Sequence, residues 1–192
     1  LTMYERTDQA FARSYWHWFF LIQPAPLPER LLAGNAKFYV LGRMGRGPKG
    51  LERFSKAALA EYVRCFEDAR TVHASCEDYR ASATIDLEHD AADAGARIGC
   101  PLLVLWGAKG AMHRIYDVLG TWQDQGVDVR GRAIDSGHFL AEEAPEQTAR
   151  EHRVLSALAD FEEKDCAEMA RLILEESLLG RVHVLMMAAE KV

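Results

Sequence analysis

The residue best placed to do chemistry is His138, in the run Asp135-Ser136-Gly137-His138-Phe139-Leu140-Ala141-Glu142-Glu143-Ala144-Pro145-Glu146. Val127 to Ile134 reads as a strand, and a glycine-led turn follows it just before a helix. An imidazole delivered there projects from the carboxyl end of a sheet, where α/β sites form and where a general base belongs. A surface-loop histidine is the commoner fate of any one His. The joint context of strand, S-G-H-F and E-x-P favours catalysis.

Other motifs carry less. Gly45-Arg46-Gly47-Pro48-Lys49-Gly50 is a literal G-x-G-x-x-G with Glu67 about 20 residues on. Its proline and its flanking helical segments make it an inter-helix loop, not a phosphate cradle, and no Gly-Lys-Ser/Thr follows. His73 and Cys76 share an i, i+3 spacing, and His89 lies beside Glu88 and Asp90, but neither set reaches the three ligands a metal site needs. No metal and no cofactor is expected. The doublets Glu142-Glu143 and Glu162-Glu163 read as solvated faces, the first also suited to a helix start.

The elements that must position His138 follow from periodicity. Phe11, Tyr15, Trp18, Phe19 and Ile22 recur every three or four residues and predict one helix from Thr2 to about Ile22. Three alternating prolines in Gln23 to Glu29 predict an extended connector, with a short helix over Glu29 to Leu32. Gly34 to Gly50 reads as loop around Phe38 to Leu41, and helices are expected over Leu51 to Asp68 and Thr71 to about His89. At Pro101 the character changes: Pro101-Leu102-Leu103-Val104-Leu105-Trp106-Gly107 is a short apolar run typical of a buried parallel strand. Helix Met112 to Gln125, strand Val127 to Ile134 and a helix from Ala141 complete a strand, helix, strand, helix order. Asp117 then falls deep inside a helix. Glu151 to Val192 reads as one or two amphipathic helices.

Composition narrows the class. The 192 residues are 49% hydrophobic and 27% charged, with a net charge of −6 and dispersed Lys and Arg. Disorder is excluded, and a nucleic-acid partner is not expected. No apolar stretch approaches the ~20 residues of a membrane span. Cys65, Cys76, Cys100 and Cys166 are far apart, so reduced thiols and a cytoplasmic location are expected.

The segment SGHFLAEEAPEQ (136–147), preceded by LLVLWGAKG (102–110), resembles the C-terminal part of the α/β-hydrolase fold. YWHWFFLIQPAPLPE (15–29) with CEDYRA (76–81) resembles the cap of the haloacetate (fluoroacetate) dehalogenase family. In that family an aspartate displaces halide from a 2-halo acid, and a histidine-activated water hydrolyses the resulting ester. The resemblance implies that His138 is the general base of the second step. It also implies that His17, Trp18 and Tyr79 are the three donors to the departing halide. From the residues alone, His17 and Trp18 read as an aromatic core stripe and Tyr79 as a tyrosine capping a helix bundle.

No G-x-D-x-G or G-x-S-x-G occurs in the chain, so the family's nucleophile and its carboxylate-binding arginines are not among these residues. The loop after the first strand, Trp106-Gly107-Ala108-Lys109-Gly110-Ala111, holds no aspartate, which disfavours ordinary epoxide hydrolases and haloalkane dehalogenases. The expected fold is a partial α/β-hydrolase: a helical cap over 1–95, the last two parallel strands and helices over 96–150, and a helical tail of unclear origin over 151–192. A complete capped hydrolase needs about 250 to 300 residues, so the chain is expected to be a C-terminal piece, inactive alone, with an exposed strand edge at Pro101 to Gly107. The expected substrate is a small haloacetate-like acid. A homodimer is left open. The alternatives are an epoxide or carboxylester hydrolase of the same fold, or a non-catalytic helical interaction module.

Overall fold

The computed structural model describes residues 7–46 and 49–158, the side chains of 152–158 excepted. The tail expected to be helical lies, past 158, outside the described residues, as do Gly47 and Pro48. The chain divides into two units, one ending at Ala94 and one beginning at Gly95.

The N-terminal unit is helical. Asp8 accepts a hydrogen bond from the Phe11 amide (2.8 Å) and starts α1, Gln9–Ser14, and α2 follows at Trp16–Leu21. Where one continuous helix was expected, the chain breaks at Tyr15 (φ −120°, ψ 32°), whose buried ring stacks on Phe11. Beyond the break the helix phase is reset, so His17 and Leu21, four apart, turn inward while Trp16 is exposed.

The proline run is a turn, not an extended connector: the Gln23 amide bonds to Phe20 O and the Leu27 amide to Pro24 O. Proline fixes φ but not ψ, so alternating prolines do not compel extension. The Ala25–Pro26 bond is cis. Helix α3, Leu27–Leu32, carries Pro28 in its first turn, where a missing N–H leaves no bond unmade.

The expected loop over Gly34 to Gly50 is largely helix α4, Ala36–Met44. Gly34, at φ +75°, turns the chain, and Ala36 and Val40 bury an i, i+4 face. Gly42 lies within this helix with nothing near where a Cβ would stand, so it was a misleading break signal. The next expected helix is divided into a 3₁₀ turn, Gly50–Arg53, and α5, Lys56–Phe66, capped by the Ser55 hydroxyl. Its successor is divided into α6, Ala69–Ser82, capped by Asp68, and α7, Ile85–Ala92.

Helix α6 is the spine of this unit, packing against α2, α3, α5 and α7. Leu21, Leu32, Val72, Cys76 and Tyr79 form the core, with Trp18, Phe20, Ile22, Tyr39 and Phe66 around them. Burying each such apolar side chain contributes about 1.5–3 kcal/mol. Arg80 reinforces the packing by donating to Gln23 O (2.9 Å) and to Glu29 Oε1 (2.8 Å), which joins α6 to the turn and to α3. Burial alone would raise the Glu29 pKa, but a backbone hydrogen bond, Arg80 and His73 outweigh it and hold the carboxyl below its ordinary value.

The second unit contains two parallel strands, β1 (Leu102–Gly107) and β2 (Val129–Ile134), paired from Leu102 with Val129 to Gly107 with Ile134. Leu102, Val104 and Ile134 are buried. The crossover carries α8, Ala111–Ile115, and α9, Val118–Gln123, where one helix was expected. Asp117, expected deep in that helix, is instead the cap of α9, accepting from the Gly120 amide at 3.1 Å. After β2 come α10, Leu140–Glu143, and α11, Pro145–Leu158. Among the described residues β1 has no strand partner except β2, and no helix is long and apolar enough to cross a membrane.

A Cβ on Gly107 would come within 1.6 Å of Gly137 O, whereas one on Gly99 would meet nothing. Gly107→Ala is therefore expected to destabilise the fold by about 2 kcal/mol or more, and Gly99→Ala to be close to neutral. Thermal unfolding of the two variants beside the parent chain checks the contrast.

Candidate functional site

In the N-terminal unit the packing of α2 against α6 gathers three rings that can donate hydrogen bonds. His17 and Trp18 lie on α2, and Tyr79 lies on α6. The centroid of Tyr79 is 5.6 Å from that of His17 and 5.6 Å from that of Trp18, both nearly perpendicular. Phe11 and Tyr15 extend the cluster, with Phe11 edge-on to Trp18 at 5.8 Å and Tyr15 at 5.9 Å from His17. His17 is 2% exposed and Tyr79 7%. Tyr79 belongs to the hydrophobic core and is also the ring that His17 and Trp18 both pack against.

A residue that sequence reasoning missed stands beside this cluster. Nη2 of Arg43, on α4, lies 2.8 Å from Nε2 of His17. Burial lowers the Arg43 pKa, while Tyr39, Tyr79 and Tyr15 act in the opposite direction. Burial also pushes the Tyr39 phenol up to about 12 and the Cys76 thiol up to about 11. Cys76, 0% exposed, is a core residue. Arg43 was hidden because its segment read as loop. The i, i+4 pair Ala36 and Val40 was the signal for a helix that carries Arg43 on its last turn.

His138 is exposed, on the turn between β2 and α10, with the Phe139 ring edge-on at 5.0 Å. The ladder of the two strands continues into this turn: the Ala108 amide bonds to Ile134 O (2.8 Å) and the Lys109 amide to Ser136 O (2.9 Å). Glu143, read from sequence as part of a solvated doublet, instead closes the turn. Its carboxylate accepts from the Gly137 amide (2.8 Å) and the Phe139 amide (3.3 Å), the residues on either side of His138. A Cβ on Gly137 would meet that carboxylate at 2.7 Å, so any larger residue there would have to displace the Glu143 side chain. Glu162 and Glu163 lie outside the described residues.

His73 is exposed and Cys76 buried, so they do not converge. His73 instead lies 3.3 Å from Glu29 Oε1, and Glu29, His73 and Glu77 could between them approach one cation. The Arg80 guanidinium already pairs with both of these carboxylates. The G-x-G-x-x-G run follows α4, and the residues after it form the 3₁₀ turn, with Arg46 donating to Ser14 O and Arg13 O. Neither strand precedes it nor does a long helix begin at it.

A helical unit, followed by parallel strands whose loops present a histidine, defines part of an α/β-hydrolase fold. The chain is 38% identical over 149 residues to a fluoroacetate dehalogenase from Burkholderia sp., an alignment covering 77% of the chain and 49% of that protein. It is 31% identical over 94 residues to a soluble epoxide hydrolase from Corynebacterium sp. (strain C12), covering 48% of the chain and 31% of the relative. Among solved structures it resembles a protein from Nostoc sp. PCC 7120 described as an α/β hydrolase. That match has a TM-score of 0.72 and 51% identity, covering 81% of this chain and 52% of the other. No family model matches. The chain belongs to the α/β-hydrolase superfamily, and it spans about half the length of the relatives it matches.

Glu143→Ala removes the acceptor for two amides. The expected outcome is faster hydrogen exchange at Gly137 and Phe139, with a loss of about 1–3 kcal/mol in stability, while exchange in the β1–β2 ladder keeps its rank order. Amide exchange followed by NMR checks it, and unchanged protection at both amides contradicts it.

Proposed function

We propose that the chain supplies the halide-binding cap and the histidine of a haloacetate dehalogenase, an enzyme that hydrolyses the carbon–halogen bond of a small 2-halo acid. The observation carrying this reading is the packing of the His17 and Trp18 rings on Tyr79, each at 5.6 Å, in a chain similar over 149 residues to the Burkholderia dehalogenase. In the resembling family an aspartate attacks the carbon bearing halogen, an ester forms and halide leaves. Fluoride leaves poorly because its charge must be stabilised as it develops. Imidazole, indole and phenol donors held on stiff, packed rings provide that without reorganising during the step. His138 then takes a proton from the water that hydrolyses the ester.

The nucleophile is not among the 192 residues, which contain no G-x-D-x-G. Members of such a constellation act as a unit, so the chain alone is expected to give no turnover. In this reading the cap corresponds to 1–95 and the last strands to 96–150. A second reading, epoxide hydrolysis, is favoured by the 31% identity to the Corynebacterium enzyme. In it Tyr79 would donate to an epoxide oxygen in place of halide.

The test joins the chain behind the N-terminal half of the Burkholderia relative and measures fluoride release from fluoroacetate. Release is expected, with a loss of about 10³-fold or more for His138→Ala and about 10²-fold for Trp18→Phe. A folded hybrid that opens epoxides but frees no halide contradicts the proposal. Fluoride release by residues 1–192 alone contradicts its claim about the missing nucleophile.

A further inference from the structure

The strongest unassigned feature is Arg43. A guanidinium has five donors and no acceptor, and it keeps its proton in proteins. Across the 2.8 Å contact to His17 Arg43 must therefore donate and Nε2 must accept. An imidazole accepting at Nε2 is neutral, with its one N–H at Nδ1.

The charge beside it is equally informative. Arg43 is half-buried, its surroundings are Tyr15, Tyr39, Tyr79, His17 and a second cation, Arg46, and no carboxylate pairs with it among the described residues. Arginines in this unit that pair with carboxylates do so elsewhere, as Arg64 does with Glu61, Arg70 with Asp68 and Arg80 with Glu29. A partly desolvated cation without an acid partner is unfavourable unless an anion completes its surroundings.

We propose that Arg43 is a positioning residue for an anion site at the His17, Trp18 and Tyr79 cluster, fixing the Nδ1–H tautomer of His17 and supplying the positive charge that a bound halide balances. The proposal rests on the reading of those three rings as halide donors. It adds to that reading which nitrogen of His17 carries the donor proton. It also identifies a charge source, since the rings themselves contribute dipoles only. A purely structural arginine would fix the same tautomer but would be indifferent to halide.

The test uses the whole 192-residue chain. Nitrogen-15 NMR, with His17→Gln assigning the signal, reads the tautomer, and quenching of tryptophan fluorescence by bromide reads anion binding, with acetate as a second anion to distinguish halide from carboxylate. The parent chain is expected to show protonated Nδ1 and bare Nε2, and to bind bromide more tightly than acetate. Arg43→Met removes donor and charge, so the tautomer is expected to redistribute toward Nε2–H and bromide affinity to fall by about tenfold or more. Arg43→Gln keeps a donor without the charge, and is expected to retain the tautomer while losing affinity. Arg43→Lys restores part of both.

An Nε2–H tautomer in the parent chain overturns the Arg43 assignment, and that measurement needs no variant to fold. Bromide affinity unchanged in folded Arg43→Met and Arg43→Gln overturns the role of the charge. If Trp18→Phe leaves bromide affinity unchanged while the Arg43 variants lose it, the halide reading of the rings fails and the Arg43 assignment stands. Acetate bound more tightly than bromide overturns the choice of halide.

Discussion

Everything distinctive about the N-terminal unit depends on the two perpendicular contacts that Tyr79 makes with His17 and Trp18. Edge-to-face rings at 5.6 Å are favourable by about 0.5–1.5 kcal/mol each beyond the area they bury, and they set the rotation of α2 against α6. The same packing closes the core of Leu21, Leu32, Val72 and Cys76. Helices that bury a core here must bring three N–H and O–H donors together, so stability and the candidate site are one arrangement. Arg80 secures it from the other side by tying α6 to Gln23 O and Glu29.

The second unit solves a different problem, how to hold an exposed histidine steady. Its answer is backbone geometry. Gly107 lies so close to the Gly137 carbonyl that it tolerates no side chain, the strand ladder runs on through Ala108 and Lys109, and Glu143 binds the amides on both sides of His138. The histidine is therefore the exposed tip of a turn whose flanking amides, Gly137 and Phe139, are both held by Glu143.

How much of this was legible in the sequence follows from the kind of signal each element carries. The strand Leu102–Gly107 was legible because a continuous apolar run ended by glycine has few other solutions, and its parallel partner followed from the intervening helical segment. Helix α4 was not, because Gly42 and the surrounding glycines mimic a loop when counted without the i, i+4 burial of Ala36 and Val40. The breaks at Tyr15, Ser55, Thr84 and Tyr116 were invisible because none carries a proline or glycine, and packing and side-chain caps decide them. The place of His138, on the turn that follows the second strand, was readable from its local pattern. His17, Trp18 and Tyr79 pack as the aromatic core that the residues alone suggest, and only the resemblance gave them another reading. Arg43 and Glu143 depend on contacts across 26 and 6 residues that no spacing rule anticipates.

The central claim is that the ring cluster holds a halide ion. Crystals of the chain grown in bromide, with anomalous diffraction recorded at the bromine edge, test it most directly. The account predicts an anomalous peak within hydrogen-bonding reach of the Trp18 indole N–H, the Tyr79 hydroxyl and Nδ1 of His17. A peak absent from the cluster in ordered crystals, or one facing Nε2 of His17 with Arg43 turned away, contradicts it.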